Sequence, residues 1–110
     1  MNVYDTANRL AYEIQESEEY KQYKKRKETL MNNPESKQKI EEFERLRYDV
    51  QLMQYTGEEK DEQKTNKLEE MYSILVQDQQ IKEFFDLEVK FNVMIADINK
   101  IIAESIKDVL

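Results

Sequence analysis

The chain has 110 residues, one glycine, one proline, no cysteine, no histidine and a formal net charge of −7. Sandwiches and barrels need turn-forming residues at every reversal, so this composition excludes them and leaves a few long helices. The missing cysteine and histidine exclude disulfides, thiolate metal sites, a Cys nucleophile and the commonest general base.

Five helices are predicted in chain order, over residues 5–16, 18–32, 34–56, 61–76 and 78–108. Asp5 is read as the N-cap of the first, which carries Ala7, Leu10, Ala11 and Ile14 on one face. A short break at Glu16-Ser17 follows, with Ser17 able to cap the second helix, although nothing there forces a full stop. The second helix has Tyr20, Tyr23, Leu30 and Met31 as a weaker apolar face. Asn33-Pro34-Glu35 is the clearest boundary: Asn33 caps, Pro34 suits the first helical position, and Glu35 favours the positive helix end. Ile40, Phe43, Leu46, Val50 and Met53 form the inner row of the third helix. A second row, Tyr48, Leu52 and Tyr55, is expected to widen that buried face. Gly57 is placed at C′, and residues 58–66 read as a polar loop or an exposed first turn. The fourth helix carries Leu68, Met71, Tyr72, Leu75 and Val76.

Asp78 caps the last helix, and residues 81–110 hold 15 of the chain's 32 Leu, Ile, Val, Met and Phe residues. Rows 84–88–91–95–98–102 and 87–91–94–98–101 overlap into a face wider than a coiled-coil seam. A helix over residues 78–108 spans about 46 Å at 1.5 Å per residue. A globule of this chain length is about 35 Å across. The fold is therefore expected to be an elongated antiparallel bundle of four to five helices, all-α and one domain. Part of the last helix is expected to be covered by a second copy of the chain. Phe84, Phe91, Ile95, Ile98 and Ile102 are the residues assigned to that packing face.

Disorder is the rival reading of a chain with 37% charged residues. It fails because Leu, Ile, Val and Phe make up 27 of 110 positions, above the roughly 20% of disordered chains. The negative charge disfavours direct contact with nucleic acid or anionic lipid. No N-terminal apolar stretch reads as a signal peptide, and the longest apolar run, residues 93–96, is too short to span a bilayer. A cytoplasmic protein is expected.

One pattern has catalytic form: Glu58-Glu59-x-x-Glu62, then Glu83-x-x-Asp86. Carboxylates one helical turn apart can share a hard cation, as Mg²⁺-dependent all-α nucleoside triphosphate pyrophosphatases of the MazG type require. With 17 glutamates in the chain, roughly 0.4 such triplets arise by chance. The first group also suits an acidic helix start. No catalytic, cofactor or metal residue is therefore assigned, and an enzyme is not expected. The basic run Lys24-Lys25-Arg26-Lys27 is bracketed by Glu18, Glu19 and Glu28, and reads as a solvated face with intrahelical ion pairs.

Three stretches resemble the YheA/YmcA/YlbF family of small helical proteins from Gram-positive bacteria, nearest its YheA branch. The first is Asn2-Val3-Tyr4-Asp5-Thr6-Ala7 with Leu10, followed by Ile14-x-Glu16-Ser17-x-Glu19-Tyr20-Lys21. The second is Gln54-x-x-Gly57-Glu58-Glu59. The third is Glu88-x-x-Phe91-x-x-Met94-Ile95-Ala96-Asp97-Ile98-Asn99-Lys100-Ile101-Ile102. The resemblance runs over essentially the full length, and it implies an all-α protein that self-associates through its helices, as a dimer, and meets other proteins. It also implies kinship with non-enzymatic regulatory subunits that work beside an RNA-processing endonuclease. Those relatives' complex is associated with cysteine-bound iron–sulfur clusters, which a chain without cysteine does not inherit.

Overall fold

Five α-helices and a closing 3₁₀ turn account for the regular structure of the computed structural model, which describes residues 2–56 and 62–110. They are α1 (Val3–Glu16), α2 (Glu18–Met31), α3 (Pro34–Thr56), α4 (Glu62–Leu75) and α5 (Gln79–Ile106), with the 3₁₀ turn at Lys107–Val109. No strand occurs among the described residues. The all-α class and the long C-terminal helix are as the composition and periodicity predict.

Capping chemistry sets the boundaries. Asn2, not Asp5, caps α1: the Asp5 amide donates to Asn2 Oδ1 at 2.8 Å, which puts Asp5 inside the first turn. Ser17 both ends α1 and starts α2. Its amide donates to the Ile14 carbonyl at 3.1 Å and its hydroxyl donates to the same carbonyl at 2.6 Å. That hydroxyl oxygen also accepts the Tyr20 amide at 3.2 Å. With ψ at 151°, Ser17 is extended, so one residue breaks what the pattern alone would run through. Asn33 Oδ1 accepts the Glu35 and Ser36 amides at 3.0 and 3.4 Å, with Pro34 at the first helical position where no amide is needed. Asp78 Oδ1 accepts the Gln80 amide at 2.9 Å and opens α5. Gly57, expected at C′, lies outside the described residues.

The chain forms two compact units, residues 1–27 with 84–110, and residues 28–83. In the second unit, Leu30, Ile40, Phe43, Val50, Leu75 and Ile81 are buried. Phe43 packs on Tyr72 with ring centroids 6.1 Å apart, and Arg47 stacks its guanidinium over Phe43 at 5.4 Å. Residues 35–39 share a hollow with Ile74, Leu75 and Asp78, while Leu46 and Asp49 share one with Lys67 and Met71. Rising numbers on α3 thus meet falling numbers on α4, an antiparallel pair.

The second row of α3 does not widen this core. Tyr48, Leu52 and Tyr55 are all exposed, Tyr55 at 90%. The reason is angular: at 3.6 residues per turn, Tyr48 stands about 200° round the helix from Val50. The row centres about 130° round the helix from the Ile40–Phe43–Val50 face, outside the covered side.

Candidate functional site

The first unit is built on α5. Phe84 and Phe85 are buried, and Tyr20 and Tyr23 of α2 close over the row that follows. Tyr23 meets Phe84 and Phe91 at centroid distances of 5.4 Å each, and Tyr20 meets Phe91 at 6.1 Å. Tilted rings at these distances are the favoured aromatic arrangement. The Tyr23 hydroxyl donates to Glu88 Oε2 at 3.2 Å, so its polar tip is satisfied beside the rings. Tyr20 pairs higher on α5 than Tyr23 does, which makes α2 and α5 antiparallel in this unit.

Beyond Phe91 the cover thins. Along one face, Phe84 is 0% exposed, Phe91, Ile95 and Ile98 are half-buried, and Ile102 is 49% exposed. Beside that row Ile101 is 70% exposed, and further on Ile106 is 44%. Val89 and Val93, on the far flank, are 59% and 53% exposed. An open groove of about 550 Å³ runs here between Glu19 and the flank formed by Val89, Lys90, Val93, Met94, Asp97 and Ile98.

A second apolar face, only partly covered, belongs to α1. Val3, Ala7, Leu10 and Ile14 recur at one stripe, with Asp5, Arg9, Glu13 and Glu16 opposite, and no residue of this helix is buried. Leu10 and Ile14 are half-buried, and Val3 and Tyr4 are exposed. The sequence pattern marks α1 as amphipathic, and no residue of its apolar stripe reaches full burial.

The five packing-face residues therefore divide. Phe84 sits wholly inside the chain, and the other four follow the gradient from covered to open. Of the acidic pattern, Glu58 and Glu59 lie outside the described residues. Glu62 is exposed at the start of α4, Asp86 is exposed, and half-buried Glu83 accepts from Gln79 at 3.3 Å. Among the described residues, no three His, Cys, Asp or Glu side chains stand where they could hold a metal ion. Within the basic run, Lys24 stands 5.9 Å over the Tyr20 ring, and just before it Lys21 bridges to Glu16 at 3.1 Å across the Ser17 break. No helix among the described residues is long and apolar enough to cross a membrane.

Comparison with known proteins gives one consistent result. The family model described as control of competence regulator ComK, YlbF/YmcA, matches residues 3–107. A UPF0342 protein of Caldicellulosiruptor bescii is 35% identical over 106 residues, covering 96% of this chain and 89% of the relative. A UPF0342 protein of Staphylococcus aureus strain Newman is 32% identical over 109 residues, covering 99% and 96%. Among solved structures, YheA from Bacillus subtilis superposes with a TM-score of 0.69 at 23% identity over the whole of both chains, which establishes a shared fold.

Proposed function

The chain belongs to the YlbF/YmcA family, and from that premise we propose that it is a non-enzymatic regulatory protein that acts by protein–protein contact. It works in the cytoplasm and self-associates, as a dimer, through the second half of α5. The single observation that carries this reading is the burial gradient along α5, from Phe84 inside the chain to Ile102 half in water. A helix of 28 residues runs about 42 Å, and its own chain covers only the first part of it well. Leaving a row of isoleucines in water forfeits about 25 cal/mol for every Å². A second copy recovers that energy.

The family description, control of the competence regulator ComK, supports regulation as the class of activity. Two measurements test the reading. Ile98→Asp places a charge in the middle of the proposed contact, and should shift sedimentation toward the monomer, because burying an unpaired charge is costly. Unchanged association would remove α5 from the interface. Incubation with a nucleotide panel and Mg²⁺ should release no pyrophosphate, and release that Glu83→Gln abolishes would replace regulation with hydrolysis.

A further inference from the structure

We propose that the apolar stripe of α1 docks on residues 93–106 of α5 in a second copy, and reciprocally, so that each protomer's α1 covers its partner's α5. This rests on the reading of the chain as self-associating and names the element that completes the contact.

The first argument is the stability of α1 itself. Isolated helices shorter than about 12–15 residues are marginal in water, and most helices owe their stability to packing of an apolar face. α1 has 14 residues and none of them is buried. Its position is braced rather than free: Ser17 bonds back to Ile14 and forward to Tyr20, and Lys21 bridges to Glu16 across the joint. Held that way, the stripe is only partly covered in its own unit: Leu10 and Ile14 are half-buried, while Val3 and Ala7 stay exposed.

The second argument is area. Ile101, Ile102 and Ile106 at their observed exposures offer roughly 300 Å², short of the about 600–1,000 Å² per partner in a standard interface. Val3 and Tyr4, each 81% exposed, with Ala7, Leu10, Ala11 and Ile14, add roughly 400 Å² and bring the total into that range. Lengths match as well: α1 and residues 93–106 are each 14 residues, or about 21 Å.

The third argument is charge. The unit that carries both faces has nine basic and ten acidic residues, net −1, whereas residues 28–83 have eight and fourteen, net −6. Two copies can bring the near-neutral units together without the repulsion that the acidic unit would impose. Both halves of the contact lie on one chain, so a two-fold operation covers both at once and closes the assembly.

The absence of native cysteine makes the test direct. Leu10 is at the middle of α1, and Ile98 and Ile102 bracket the middle of residues 93–106, so they meet whichever way the helices run. Leu10→Cys chains bearing a mass tag are mixed with untagged Ile98→Cys or Ile102→Cys chains, allowed to exchange, and oxidised with diamide. The tagged–untagged covalent dimer is expected in at least tenfold excess over either like-with-like dimer. Leu10→Asp should raise the dimer dissociation constant at least tenfold while leaving the helix content of the dilute monomer unchanged. Only like-with-like disulfides, an intrachain disulfide in the Leu10→Cys/Ile102→Cys double variant, or undiminished association of Leu10→Asp would overturn the α1 assignment and leave self-association standing. A wild-type chain that stays monomeric would overturn both.

Discussion

Ser17 shows how much one side chain decides. Its hydroxyl donates to Ile14 and accepts from Tyr20, ending one helix and beginning the next within a single residue. Ser17→Ala should lower stability by about 1 kcal/mol, the usual value of an N-cap, measured as the free energy of urea unfolding. Asn33 and Asp78 do the same work at α3 and α5, and all three were legible because capping is local chemistry. The start of α1 is not decided by residue type alone. Asn2 and Asp5 are both capping types, and only the three-residue reach from the Asp5 amide to Asn2 Oδ1 decides between them. Phe84 and Ile102 lie on the same face yet answer different questions. Phe84→Ala should cost about 3–5 kcal/mol of folding stability, the range for a buried aromatic. Ile102→Ala should change unfolding of the dilute chain little and weaken association instead. Equal folding losses at both positions would mean that the gradient along α5 is not real.

Among the elements, α2 and α5 are joined by rings. Tyr23 touches Phe84 and Phe91 and bonds Glu88, so Tyr23→Phe keeps the ring contacts and removes only the hydrogen bond. Its expected cost is about 1 kcal/mol, against about 3–5 kcal/mol for Tyr23→Ala, which also opens the cluster. Denaturant titration of the two variants separates the contributions. The inner rows of α3 and α5 were readable from spacing, because Ile40, Phe43 and Val50 recur with helical period. The depth of burial was not: spacing shows which residues share a face, while the neighbour that covers the face is set by other elements. Tyr48, Leu52 and Tyr55 are the instructive case, an apolar row with helical period that faces away from the core and stays exposed. Exposed ion pairs add little at this scale. Glu35–Lys39 at 3.0 Å has the favourable order along its helix and Lys37–Glu41 at 4.0 Å the reverse, and both are more than half or nearly half in water.

For the molecule as a whole, the family and the all-α fold are present in the residues, and the proposed interface is present only as an excess of apolar surface. Which part of that excess the chain covers by itself is visible only in the structure, since Phe84 and Ile102 are both apolar and lie on the same face. The uneven charge adds a direction: association should run through the near-neutral unit and leave the acidic one facing water. The measurement that bears most directly on this account is light scattering behind gel filtration on the unmodified chain at tens of micromolar. The account predicts a mass of twice the 13.4 kDa chain, falling toward one chain on dilution. A mass of one chain throughout that range would contradict it.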